Sequence, residues 1–281
     1  MRSIKNLHKA IEEPMEGLST YRAFPNREID QIDPFLLLNH HGPQEFSPNN
    51  SGLPFGPHPH RGFETLTFIL QGDVVHTDSS GGKSIITSGG IQWMTAGKGI
   101  VHSENSSDNF KKNGGIEEVL QLWINLPSKL KMTPPKYIGL QKDKITKLNF
   151  DDGKVTVNLV TGKWGNEKGP IDSLTDVLTS FIEFKKEGKL KVNVDRERNI
   201  LLYVVDGKIN VNNTTAEKLA LVEFENDDEE ISIEALEDSI LIFCHGKPFN
   251  EPVVSYGPFV MNTEAEIKQA MIDYQSGKFG K

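Results

Sequence analysis

The chain has 281 residues, 36% hydrophobic and 25% charged, with 25 Gly and 15 Pro. That composition excludes a disordered chain, and the length suits one large core or two of average size. The formal net charge of -8 opposes a phosphate-binding surface, so no direct nucleic-acid binding is expected. Cys244 is the only cysteine, which removes any intrachain disulfide and any thiolate-built zinc or iron–sulfur site. A metal would have to sit on His and carboxylate.

Taken in chain order, Met1 to Ala10 carries positive charge but lacks the apolar region of a signal peptide. No later segment approaches the roughly 20 apolar residues of a membrane helix. A cytoplasmic protein with no membrane partner is expected. Short apolar runs then recur at Phe35 to Leu38, Thr65 to Leu70, Gly90 to Met94, Leu120 to Leu126, Thr156 to Val160, Phe181 to Phe184, Leu201 to Val205 and Ile240 to Phe243. They read as β-strands. Between them lie turn signals such as Gln71-Gly72-Asp73, Ser80-Gly81-Gly82, Ser88-Gly89-Gly90, Asp152-Gly153 and Asp206-Gly207, which suit hairpin-connected antiparallel sheets. Phe68 to Asp73 and Tyr203 to Lys208 are faintly alike, each a buried strand running into a Gly turn.

The Pro- and Lys-rich stretch Ser128 to Lys136 interrupts the strand pattern. It divides the chain into two β-domains of similar size, an N-terminal one over 1–135 and a C-terminal one over 136–281 that ends in a helix. The acidic run Glu223 to Glu230 reads as a solvated loop, because Ile231 and Ile233 alternate directly after it. Helical periodicity is confined to the end. Thr263 is the N-cap, Glu264 and Glu266 lie in the first turn, and Ile267, Ala270, Met271 and Tyr274 form one apolar stripe. The fold class is therefore mainly β, with a short C-terminal helix.

The chemistry lies in the histidines. In His58-Pro59-His60 the two imidazoles stand at i and i+2, which on an extended strand is one face. Pro59 fixes its own φ and biases His58 toward extended geometry. His102-Ser103-Glu104 repeats the spacing with a carboxylate, after the Gly-rich turn Gly97-Lys98-Gly99. Two such strands facing each other would give three imidazoles and one carboxylate around one point. That donor set suits Fe, Mn, Ni, Cu or Zn and leaves coordination positions open. A structural zinc site would more often be closed with thiolates, which the chain lacks. In the second half, His245 is the only histidine, so a second metal site there would lack ligands. Trp93, Trp123 and Trp164 read as core residues or as the lining of an aromatic pocket, and Cys244 as an inert buried thiol.

Gly56-Pro-His58-Pro-His60-Arg-Gly-Phe-Glu64 and Gly90 through Gly97-Lys-Gly99-Ile-Val-His102-Ser-Glu104 resemble the two metal motifs of the cupin superfamily. More narrowly the chain resembles the pirin family. That likeness is carried also by Arg22 to Pro25, Asp33 to Leu36, His40-His41-Gly-Pro43, Gln121 to Pro127 and Asn250 to Asn262, and so spans nearly the whole chain. The resemblance implies a bicupin, two cupin-type β-barrels of which the N-terminal one holds iron. General cupins take the carboxylate ligand at the position of Glu64, pirins at that of Glu104. Glu104 is chosen, with Glu64 as a hydrogen-bond partner behind the ligands. Gly97 stands where a cupin Pro is usual and Ser106 where an Asn is usual, and both departures suit pirin. His41 is an additional imidazole, read as a loop or barrel-wall residue and not as a ligand.

The resemblance further implies a quercetin 2,3-dioxygenase, which opens a flavonol ring with O2 and releases carbon monoxide. The metal would be Fe(II), and Glu104 would act as ligand and as the base for the flavonol 3-hydroxyl. The alternative is a non-enzymatic, redox-sensitive iron protein that binds a partner protein. A third is a cupin that holds metal without an open coordination position.

Overall fold

A computed structural model describes residues 1–280. Every apolar run read from the sequence falls in a strand, save Gly90 and Leu126 at the ends of two runs, and strands dominate. Among the described residues there are two α-helices, Asp108–Asn113 and Glu264–Gln275. The chain forms two compact units. One comprises residues 1–11, 22–35 and 144–248, the other 12–21, 36–143 and 249–281.

These units are not the linear halves 1–135 and 136–281 that composition suggests. Ile4–Lys9, at the N-terminus, pairs antiparallel with Ala220–Phe224 and so joins a sheet of the first unit. The C-terminal helix belongs to the His-bearing unit, not to the barrel without ligands. Past the Pro- and Lys-rich stretch, Lys136–Leu140 still pairs with Ile91–Thr95, so the crossover comes only near 143. The physical reason is edge satisfaction. A sheet edge presents unpaired N–H and C=O groups, and any chain segment that reaches them can cover them, however distant in sequence.

The first unit stacks a seven-stranded sheet on a four-stranded one, all pairs antiparallel. Its interior is filled by Val157, Leu159, Ile182, Leu202, Val222, Leu241 and Phe243, each fully buried. His245 receives the Arg198 Nε–H at 2.7 Å, and burial pushes the Cys244 thiol up to about 12. The acidic run is only partly a solvated loop. Glu223 accepts from Lys5, Asn6 and His8, and Asp228 pairs with the N-terminal ammonium.

In the second unit, Phe35–Phe46, Phe63–Gln71, Ile91–Thr95, Gly115–Asn125 and Lys136–Leu140 share a seven-stranded sheet. Phe55–His60, Asp73–Asp78, Lys83–Thr87 and Ile100–Asn105 form a four-stranded one. Gly72 does not close a hairpin. The strands on either side of it lie in different sheets, so the chain turns a corner there, as it does at Gly207 in the other unit. Both glycines take positive φ, +84° and +87°, and an added Cβ would meet Glu117 or Ser239. Only glycine fits such a corner.

The C-terminal helix opens with a capping box, Thr263 bonding the Glu266 N–H while Glu266 reaches back. It buries Ile267 and Ala270, but Tyr274 stays exposed and Asp273 is buried in the stripe instead. Asp273 accepts from Arg61, Gln269 and Lys278, each at 2.9 Å. The Arg61 guanidinium also lies over the Phe279 ring at 4.6 Å, so the C-terminus is tied to the residue that follows His60.

Candidate metal centre

Phe55–His60 and Ile100–Asn105 run antiparallel with His102 opposite His58 and Ile100 opposite His60. The i, i+2 spacing thus places His58 and His60 on one face and sets His102 beside both. The ring centroids lie 4.8 Å apart for His58 and His60, 4.3 Å for His58 and His102, and 5.0 Å for His60 and His102. One nitrogen from each of the three falls within 4.8 Å of the others.

His60 and His102 are buried, 3% and 2% exposed, which makes their unmet hydrogen-bonding capacity costly. Both nitrogens of His60 and Nε2 of His102 have no hydrogen-bond partner. Burial first, and the neighbouring His58 second, push the His60 imidazole down to about 3. Burial and the three surrounding imidazoles likewise hold His102 well below the ordinary histidine range. Neutral imidazoles with aimed, unpartnered lone pairs are what a metal ion requires. His58 is half-buried, and its Nδ1 lies 2.7 Å from the Gly56 carbonyl. Donation to that oxygen leaves Nε2 with the lone pair, a common way of fixing the tautomer of a ligating His. The residues present fit a transition-metal ion.

Glu104 is buried on the strand that carries His102. Its Oε1 accepts from Thr67 Oγ1 at 3.2 Å and its Oε2 from Gln121 Nε2 at 2.9 Å, and its oxygens are outside the three-nitrogen group. Glu64 faces the adjoining strand, where Oε1 accepts from Trp93 Nε1 at 3.1 Å and Thr95 Oγ1 at 2.6 Å. His41 contacts Thr20 Oγ1 through Nδ1 at 2.9 Å, and His40 contacts Glu118 Oε1 through Nε2 at 3.0 Å, so neither joins the cluster.

The three tryptophans have different surroundings. Trp93 is buried against Glu64, and Trp164 packs on Phe150 and Phe243. Trp123 stands beside the centre, its ring 5.3 Å from that of His60 and stacked on Phe63 at 4.3 Å, with Nε1 donating to Gln121. Gln121 therefore bridges Trp123 to Glu104. Sequence reasoning passed over Gln121, Thr67, His76 and Asp78. Their one signal was period-2 alternation of polar side chains inside strands otherwise apolar, which marks an inward polar face.

Gly97 explains one departure from the general cupin pattern. Its φ is +50°, and an added Cβ would run into the Thr133 carbonyl. Proline, locked near −65°, cannot occupy that conformation.

The sequence matches the family described as Pirin over residues 17–124 and the Pirin C-terminal cupin domain over residues 181–280. A pirin-like protein of Caulobacter vibrioides is 37% identical over 265 residues, covering 94% of this chain and 93% of its own. A crystal structure of quercetin 2,3-dioxygenase from Acinetobacter baumannii superposes with a TM-score of 0.94 at 36% identity, covering 100% of this chain and 99% of that one. The bacterial pirin YhhW of Escherichia coli, solved in complex with nickel(II), shares the fold with a TM-score of 0.69 at 23% identity, over 86% of this chain and 99% of that one. With two matching family domains, this likeness along its whole length and a three-histidine centre suited to a metal, the chain belongs to the pirin family of cupins.

Proposed function

We propose that this protein is a metal-dependent dioxygenase of flavonols such as quercetin, with iron held by His58, His60, His102 and Glu104. The observation that carries the reading is the convergence of three imidazoles with one nitrogen each within 4.8 Å of the others, two of them, His60 and His102, buried with nitrogens that have no hydrogen-bond partner. When bound, a metal of this class supplies Lewis acidity and one-electron chemistry toward O2.

The chain's own residues do the rest. Glu104 closes the donor set as a carboxylate on the His102 face, and it is also the base placed to take the proton of a flavonol hydroxyl. Thr67 and Gln121 hold its two oxygens, one donor on each, so the carboxylate is oriented before any substrate arrives. Trp123, half-buried and backed by the fully buried Phe63, offers an aromatic face beside His60 to a planar ring system. The buried setting of His60, His102 and Glu104 keeps bulk water from competing for the centre.

The test is anaerobic Fe(II) reconstitution of the wild type and of His58→Ala, followed by O2 uptake and the loss of the flavonol absorbance band with quercetin. Metal-dependent turnover that disappears in the variant supports the dioxygenase. Stoichiometric iron binding without O2 uptake would refute it in favour of a redox-sensitive binding protein. Glu104→Gln should retain metal and lose turnover, and full activity in that variant would remove the base role.

A further inference from the structure

His102 turns its Nδ1 toward a fourth imidazole, that of His76, at 3.5 Å, the outer limit of a hydrogen bond. His76 is itself buried, 1% exposed, and its Nε2 lies 2.8 Å from Asp78 Oδ2. The other Asp78 oxygen is taken by the Ser80 N–H at 2.8 Å, the Gly82 N–H at 3.1 Å and the Ser80 hydroxyl. The His76 ring cannot swing, because Tyr137 stacks on it with centroids 3.7 Å apart and planes 8° from parallel, and Tyr137 is tied in turn to Ser84.

Hydrogen-bond polarity propagates along this row in one direction only. A carboxylate solely accepts, so the proton of a neutral His76 sits on Nε2 and its Nδ1 carries a lone pair. The contact with His102 then needs a proton on His102 Nδ1. That leaves the lone pair on His102 Nε2, the buried atom without a partner in the three-histidine cluster. The opposite polarity would put a hydrogen on that atom and block it as a ligand.

We propose that Asp78 and His76 form a relay that fixes the tautomer of His102 and thereby sets the affinity of the centre for its metal. The two are positioning residues, and the inference rests on the reading of His102 as a ligand. Asp78→Asn is the decisive variant. Its amide oxygen stays on the Ser80 and Gly82 N–H groups, which turns the NH2 toward His76 Nε2 and reverses every bond in the row.

The measurements are two-dimensional nitrogen–proton NMR of the imidazoles in the metal-free full chain, and titration with Zn(II) against a chromophoric chelator. The wild type should show His102 protonated on Nδ1. Asp78→Asn should show it protonated on Nε2, with unaltered thermal unfolding and a Zn(II) affinity lower by about 10- to 100-fold, the usual effect of losing such an outer partner. His76→Gln, able to accept from His102 and donate to Asp78, should recover most of the affinity that His76→Leu loses. An Nε2–H tautomer in the wild type, an unchanged tautomer in Asp78→Asn, or a reversed tautomer with undiminished Zn(II) affinity would each overturn the proposal. The tautomer readout needs no metal. A wild type that binds no Zn(II) would therefore defeat the metal-centre reading while the relay is still judged by NMR.

Discussion

Glu117 is 1% exposed, with Oε1 unpartnered and Oε2 only 3.4 Å from the Ser106 hydroxyl. Burial, and after it the charge of Asp73, push its carboxyl up to about 8 from 4.5. The folded protein therefore holds this proton more tightly than the unfolded chain does. For an acid with a raised folded pKa, stability is complete below the unfolded value near 4.5 and is lost as pH rises toward 8. Each pH unit in that window costs about 1.4 kcal/mol, so between pH 5 and pH 8 the loss is on the order of 3–4 kcal/mol. Glu117→Gln keeps the shape and removes the titration. Urea unfolding at pH 5, 6, 7 and 8 should show the variant near wild type at the acid end and progressively more stable toward pH 8. A difference between the two proteins that is the same at every pH would refute the reasoning, because it would mean that Glu117 ionises in the fold as easily as in the unfolded chain.

Lys131, 1% exposed, places its three ammonium protons on Gly62 O at 2.9 Å, Asn125 Oδ1 at 2.8 Å and Val260 O at 3.0 Å. Lys131→Met should cost about 2–4 kcal/mol in denaturant unfolding, since buried acceptors lose their donor; a cost under about 1 kcal/mol would show that the acceptors find other partners. Gly97→Ala should destabilise by at least about 2 kcal/mol, because its positive φ is compounded by a Cβ against the Thr133 carbonyl, and an unshifted melting temperature would contradict this. Loading with Fe(II) at about 100 times the dissociation constant should raise stability by about 2.7 kcal/mol, reversed by a chelator and absent in His60→Ala.

Much of the centre was legible because its geometry is local. His58 and His60, and His102 and Glu104, are two apart on strands, and period-2 alternation alone puts each pair on one face. Turn chemistry at Gly72 and Gly207 was legible as a bend, but not as a passage from one sheet to the other, since a glycine reports backbone freedom and not what its strands pair with.

The sequence by itself determined the strand positions, the i, i+2 spacing of His58 with His60 and of His102 with Glu104, and the capped final helix. All of these depend on residues within a few positions of one another. Only the tertiary structure decided that the N-terminal strand joins Ala220–Phe224, that the last helix reaches Arg61, and that His76, Asp78, Thr67 and Gln121 stand around the histidines. Those contacts close loops of tens to hundreds of residues. Which partner wins is settled by burial and by satisfaction of polar groups across the whole fold, to which no local periodicity is sensitive.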